Sequence, residues 1–72
     1  MKSIIKGITY DTERAEKMAE TGNMILFRTL VMIHWFLVIK DEICPLEPYE
    51  AYWWCVRNLK DADIPIELTK ED

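Results

Sequence analysis

Residues able to do covalent or metal chemistry are few in this 72-residue chain, which holds one histidine, His34, one serine, Ser3, and two cysteines, Cys44 and Cys55. A Ser-His-Asp triad needs its serine beside its histidine, and the only serine lies near the N-terminus. A zinc site made from His34, Cys44 and Cys55 would need a fourth ligand and lacks the paired cysteine spacing of structural zinc sites. With two glycines in all, the chain has no glycine-rich phosphate loop. We therefore expect no enzyme activity, no metal and no cofactor.

Carboxylates are the remaining chemically active side chains, and most of them lie in the second half of the chain. Residues 41–72 hold nine acids and three bases, a net charge of 3 − 9 = −6, whereas residues 1–40 hold six bases and four acids, a net charge of 6 − 4 = +2. An acidic surface repels nucleic acid and anionic membranes and attracts basic partners. We therefore expect no direct nucleic-acid binding and no membrane association.

The acids of the second half have two interpretations. They can form a solvated rim that also complements the N-terminus of a helix. They can also present spaced negative charge to the lysines and arginines with which a partner holds DNA phosphates, and so compete for those contacts. The acids predicted to bind such a partner are Asp41, Glu42, Glu47, Glu50, Asp61, Asp63 and Glu67.

The N-terminal residues predict a short β-hairpin. Two β-favouring segments, Ile4-Ile5 and residues 8–10, flank Lys6-Gly7. A two-residue connection of this kind is typical of a tight hairpin turn, although lysine suits a positive φ less well than asparagine does.

A helix is expected between this hairpin and Gly22. Asp11 or Thr12 can cap its N-terminus, and glycine suits the left-handed residue that ends a helix. The apolar residues in between recur at i, i+3 and i+4, which is a helical spacing. They are Ala15, Met18 and Ala19.

A long apolar run follows at residues 24–40, MILFRTLVMIHWFLVIK. A membrane-spanning helix needs about 20 apolar residues, whereas this run is shorter and carries Arg28 and His34, which are costly at the bilayer centre. Its β-branched and aromatic residues favour a second hairpin over a single buried helix. The segment Leu30–Met32 contains no turn-forming residue, so we expect the hairpin tip to be apolar and either exposed or covered.

Period-two alternation assigns the two faces of this second hairpin, with Arg28 placed on the outer face of its first strand. The residues predicted to face the core are Ile25, Phe27, Thr29, Ile33, Trp35, Leu37 and Ile39. The opposite face is also apolar, which indicates a homodimer interface, a docking site or a contact with one of the chain's own helices. That apolar patch comprises Met24, Leu26, Leu30, Val31, Met32, Phe36 and Val38. Within it, the residues predicted to contact a partner are Leu30, Val31, Met32 and Phe36.

A second helix is predicted from Pro48 to about Lys60. Proline suits the first helical position, and Glu47 can lie at the cap. The stripe expected to be buried is Ala51, Trp54, Cys55 and Leu59, widened by Tyr52 and Val56, with Tyr49 and Trp53 to its side. Residues 61–72 are predicted to form an acidic C-terminal tail, with a short edge strand possible at residues 64–66.

Together these elements predict a small single α+β domain at residues 1–60. Its order is β-β-α-β-β-α, an antiparallel β-sheet of two hairpins with two α-helices, followed by the acidic tail at residues 61–72. The two cysteines lack a disulfide-framework spacing, and the N-terminus does not read as a secretory leader, so a reduced intracellular setting is expected.

Several segments resemble a family of small proteins carried by bacteriophages and other bacterial mobile elements. The opening IIKGITYDTERAEKMAE is similar to that family's KIINGKxYDTExAxxxAE. The later segments LFRT, WFLV, PL with EAYWW, and NLKDADI resemble its remaining motifs in the same order. One departure is Leu30–Met32, where the family usually has a turn of the Lys/Gly type.

Some proteins of this kind are anti-CRISPR inhibitors, which bind a bacterial effector complex and block it without catalysis. The resemblance therefore implies a stoichiometric inhibitor of a bacterial CRISPR effector protein or complex, acting in the cytoplasm of the bacterial host cell. The residues imply an acidic surface that blocks nucleic-acid binding by the partner. The alternative is a homodimeric, antitoxin-like or regulatory protein-interaction module.

Overall fold

A computed structural model describes residues 1–69, which form two antiparallel sheets and two helices. The elements in chain order are β1 (Lys2–Ile5), β2 (Ile8–Asp11), β3 (Ala15–Thr21), β4 (Met24–Thr29), β5 (Trp35–Ile39), β6 (Glu42–Leu46), α1 (Pro48–Asn58) and α2 (Ile66–Thr69). Strands β1 and β2 form one sheet, and β3, β4, β5 and β6 form the other, in that order. The predicted α+β class and the antiparallel pairing of both hairpins are confirmed.

Two tight turns of the same kind join neighbouring strands. In the first hairpin Lys6 and Gly7 have φ of 52° and 79°, and between β5 and β6 Lys40 and Asp41 have φ of 49° and 64°. Two consecutive left-handed residues are the signature of the type I′ turn, whose twist matches that of the flanking strands. The first turn was predicted. The second adds β6, a strand that the sequence did not indicate because it begins in an acidic stretch and contains Pro45.

The four-stranded sheet is the middle of three layers. On one face Leu26, Trp35 and Leu37 form a core with three residues of α1, and on the other face Phe36 and Val38 form a second core with Tyr10 of the first hairpin. Strand β5 is therefore covered on both sides, and its first four residues are all buried. A strand buried on both faces requires a continuous apolar sequence, which explains the composition of residues 24–40.

The structure corrects several of the predicted orientations. Val38, predicted to lie on the face opposite the core, is buried against the first hairpin. Leu26, predicted to face outward, is 0% exposed under the helices, and Phe36, predicted to contact a partner, is 0% exposed under the first hairpin. Ile33, predicted to face the core, is 55% exposed. The prediction assumed that the face carrying Arg28 is exposed to solvent, whereas the side chain of Arg28 is only 18% exposed and forms ion pairs with two carboxylates.

The helix predicted between the two hairpins is wrong, because residues 15–21 are strand β3. Asp11 does cap a helical segment, since its side chain accepts from the backbone N–H of Glu13 at 3.0 Å, but that segment is a single 3-10 turn at residues 12–14. Gly22, with φ of 56°, then forms a turn between β3 and β4 instead of ending a helix. The partly buried residues of β3 are Thr21 and the three that suggested a helix, Ala15, Met18 and Ala19.

Helix α1 agrees with its prediction except at its end, which is Asn58. Glu47 is the N-cap, and its backbone N–H donates to Glu50 Oε1 at 2.7 Å in a capping box. The predicted stripe faces the sheet, with Ala51 and Cys55 0% exposed. This helix therefore supplies most of the apolar contact on its side of the sheet.

Residues 61–69, placed in the predicted acidic tail, lie against the rest of the chain. Ile64 and Leu68 pack against the core between α1 and the four-stranded sheet, which we name the helix-side core. The edge strand suggested at residues 64–66 is wrong, since Ile66 begins α2. Residues 70–72 of the predicted tail lie outside the described part of the chain.

Candidate protein-binding loop

An apolar loop connects β4 to β5 and projects from one end of the sheet. Its residues Leu30, Val31, Met32 and Ile33 are 62%, 78%, 79% and 55% exposed. Four consecutive apolar side chains at this exposure are unusual on a protein surface, where exposed apolar residues are generally scattered singly. We name residues 30–33 the apolar loop.

A single buried hydroxyl organises the apolar loop from beneath. Thr29, 7% exposed, accepts a hydrogen bond from the backbone N–H of His34 at 2.7 Å, and its hydroxyl lies 3.2 Å from the carbonyl oxygen of Val31, to which it can donate. The backbone N–H of Thr29 also donates to the carbonyl of His34 at 2.9 Å. Met32 adopts φ of 51°, a left-handed conformation that disfavours residues other than glycine. These hydrogen bonds support the ends of the loop, while its apolar side chains are exposed to solvent.

Two clefts flank the apolar loop. One, of about 590 Å³, is lined on the loop side by Leu30 and Val31, and its other lining residues include the bases Lys2 and Arg14 and the acid Asp11. The other, of about 420 Å³, includes His34, whose ring lies edge-on to that of Tyr10 with 6.2 Å between the ring centres. His34 is thus a half-buried packing residue beside the loop.

The acidic residues predicted as one partner-binding set are divided between the two ends of the sheet. Asp41 and Glu42 lie at the turn between β5 and β6, whereas Glu47 and Glu50 lie past the far end of β6. Five residues of strand span about 17 Å at 3.4 Å per residue. Glu47 and Glu50 also bond each other's backbone in the capping box, so the structural role considered for them is present.

The remaining predicted acids differ in their engagement. Asp61 and Asp63 are exposed in a 3-10 turn after α1. Glu67 forms an ion pair with Arg28, and Arg28 Nη2 also lies 2.7 Å from Glu16 Oε1. Glu67 therefore links α2 to the sheet through an ion pair. Within the described residues, the exposed acids with no cap or ion-pair role are Asp41, Glu42, Asp61 and Asp63.

An aromatic surface, not predicted as a site from the sequence, lies along α1. Tyr49 and Trp53 are 65% and 54% exposed and line a groove of about 410 Å³. The other residues lining it are Met24, Leu37, Leu46, Glu50, Trp54, Arg57 and Asn58. The sequence did indicate the position of this surface, because helical spacing places Tyr49 and Trp53 beside the buried stripe of α1. We name this feature the aromatic groove.

Comparisons of the chain with protein-family models, with curated proteins and with solved structures find no match. Within residues 1–69, no helix has the length and apolar content needed to cross a membrane. The same residues hold no group of three or more His, Cys, Asp or Glu side chains arranged to bind a metal ion.

The two cysteines occupy different environments. Cys55, on the face of α1 that packs against the sheet, is fully buried, and this burial raises the pKa of its thiol from 9.0 to about 11. Cys44, on β6, is half-buried, and both thiols are free. A thiol with a raised pKa is a poor nucleophile at neutral pH, so Cys55 acts as a small apolar core residue.

Proposed function

We propose that this protein is a stoichiometric inhibitor that docks the apolar loop into an apolar pocket of a bacterial CRISPR effector complex. The observation that carries the proposal is the exposure of the apolar loop, at least 55% for each of its four residues. A contiguous exposed apolar surface marks an interaction site more often than ordinary surface. The effector complex as partner rests on the sequence resemblance to phage and mobile-element proteins.

The apolar loop can supply a useful part of the binding free energy. Full burial of a Val, Leu, Ile or Met side chain contributes about 1.5–3 kcal/mol. With the observed exposures, docking all four residues contributes about 4–8 kcal/mol before the cost of association is subtracted. Because the hydroxyl of Thr29 holds the loop in place, little additional free energy is spent on ordering it.

The exposed acids have a separate role in the proposal. Asp41, Glu42, Asp61 and Asp63 engage lysines and arginines with which the effector holds nucleic acid. Charge contacts at the rim of an interface mainly increase the association rate and lose strength as salt is added. The apolar loop would therefore set the lifetime of the complex, and these acids would set its salt dependence and its competition with nucleic acid.

The test is binding of the purified protein to a panel of purified CRISPR effector complexes, with target DNA as competitor. A Leu30→Ser/Met32→Ser variant should lose binding, because both side chains are lost from the proposed contact. The matched control is Ile66→Ser, since Ile66 is 76% exposed on α2 and lies outside the loop. Equal binding by the loop variant and the control, or binding by none of the effectors, would overturn the proposal.

The contribution of the exposed acids to binding is tested by neutral substitutions that are compatible with the backbone conformation. Asp41→Asn retains a residue that tolerates the positive φ at this turn, and Glu42→Gln keeps the length of the side chain. This double variant should associate more slowly and show a weaker salt dependence, with an unchanged dissociation rate. An unchanged salt dependence would remove these acids from the interface.

A further inference from the structure

Helix α1 presents a second face that neither the core nor the apolar loop uses. Tyr49 and Trp53 lie one turn apart on it and are more than half exposed. Glu50 and Arg57, both exposed, line the aromatic groove with them. The spacing of 50, 53 and 57 is i, i+3 and i+7, so these residues form a single stripe along the helix.

The composition of this stripe is that of a protein interface. Tryptophan, tyrosine and arginine are the residues most enriched among those that dominate binding energy. The groove beside them is apolar at its base, where Leu37 lies and where Trp54 Nε1 donates to Met24 Sδ at 3.4 Å. An aromatic side chain from a partner could therefore lie against apolar side chains there.

The charges on the stripe identify the partner as a second copy of this chain. The acid Glu50 lies in the first turn of α1 and the base Arg57 in its last turn, about 10 Å apart along the helix axis at 1.5 Å per residue. When two such helices pack antiparallel about a two-fold axis near Trp53, Glu50 of each copy lies opposite Arg57 of the other. The same arrangement brings the two Trp53 side chains together and pairs opposite ends of the helix dipoles.

We propose that the protein forms a two-fold symmetric homodimer through antiparallel packing of α1 along the aromatic groove. A two-fold interface uses the same surface on both copies, so each of its residue pairs occurs twice. The apolar loop lies outside this surface, and the dimer would present two loops. The proposal does not depend on the identity of the partner that the loop binds.

Charge reversal and mixing test this arrangement. Glu50→Lys and Arg57→Glu each place like charges at both symmetry-related contacts, so each variant alone should dimerise at least about tenfold more weakly in sedimentation velocity. Mixed together they restore two opposite-charge pairs and should form a heterodimer. A variant that failed to fold could not regain a partner on mixing, so this result separates the interface from the stability of the capping box.

Two controls complete the experiment. Arg14→Glu reverses an exposed base away from α1 and should leave the dimer unchanged, as should Leu30→Ser/Met32→Ser in the apolar loop. A wild-type protein that remains at its monomer mass of 8.6 kDa across the concentration range would overturn the proposal. So would a dimer that is insensitive to Arg57→Glu, or a mixture of the two charge variants that stays monomeric.

Discussion

Replacing Thr29 by valine should loosen the apolar loop without unfolding the protein. Valine keeps the branched shape that fits the strand and removes the hydroxyl. That hydroxyl accepts from the N–H of His34 at 2.7 Å and can donate to the carbonyl of Val31 at 3.2 Å or to that of Met32 at 3.5 Å. The variant thus removes the side-chain support of the loop and leaves its apolar residues in place.

The magnitude follows from the groups left without partners. An N–H that loses its partner away from water costs about 1–3 kcal/mol. A domain of this length has a total stability of about 4–11 kcal/mol, at 0.05–0.15 kcal/mol per residue. Thr29→Val should therefore remain folded while losing about 1–3 kcal/mol in its free energy of unfolding. Thr29→Ser, which keeps the hydroxyl, should lose less.

Urea denaturation measures this loss, and native-state hydrogen exchange locates it. In Thr29→Val the amide of His34 should exchange faster than in the wild type, with less change at the amides of β6. If the valine and serine variants are equally stable, or if the His34 amide keeps its protection, the hydroxyl does not organise the loop and the reasoning fails.

Three further predictions concern the layers that support the loop. Phe36→Ala should cost about 3–5 kcal/mol in urea denaturation, because Phe36 is fully buried against the first hairpin; a loss below 1 kcal/mol would place it on the surface. Burial raises the pKa of the Cys55 thiol from 9.0 in the unfolded chain to about 11 in the folded protein. Between these pH values the folded state keeps a proton that the unfolded state releases. Stability should fall between pH 9 and 11 by up to about 1.4 kcal/mol per pH unit, and Cys55→Ala should lack this part of the slope. Glu67→Gln should remove the ion pair to Arg28 and speed amide exchange in α2, with a loss below about 1 kcal/mol in global stability.

The first hairpin and α1 were predictable because local chemistry determines them. Lys6-Gly7 supplies consecutive left-handed residues, and Glu47 with Glu50 forms a capping box directly at the start of α1. Each of these signals lies within four residues of the element that it defines. Tertiary packing then stabilises the same local structure that the sequence already favours.

Strand β3 shows how a strand can imitate the periodicity of a helix. Ala15, Met18 and Ala19 follow helical spacing, but the pairing of β3 with β4 shifts between Lys17 and Ala19. A β-bulge inserts one residue and changes the alternation, so two neighbouring residues can point to the same side. Alanine, glutamate, lysine and methionine also favour helices, yet pairing with β4 overrides that preference.

The faces of the second hairpin required knowledge of the layers on both sides. Period two correctly placed Trp35 and Leu37 toward the helix-side core, but it could not show that the first hairpin covers Phe36. That contact joins residues distant in sequence, Tyr10 and Phe36, with 5.4 Å between ring centres. The sequence predicted an apolar tip but left open whether it is exposed or covered, because that depends on packing between residues distant in sequence.

The most direct test of the central claim is a calorimetric titration of a responsive effector complex with the wild-type protein, with Leu30→Ser/Met32→Ser and with Ile66→Ser. The account predicts saturable binding at a fixed stoichiometry for the wild type and the Ile66 variant. For the loop variant it predicts a dissociation constant at least about 100-fold higher, because two largely exposed apolar side chains would contribute about 3 kcal/mol on burial. Identical isotherms for all three proteins would contradict the account.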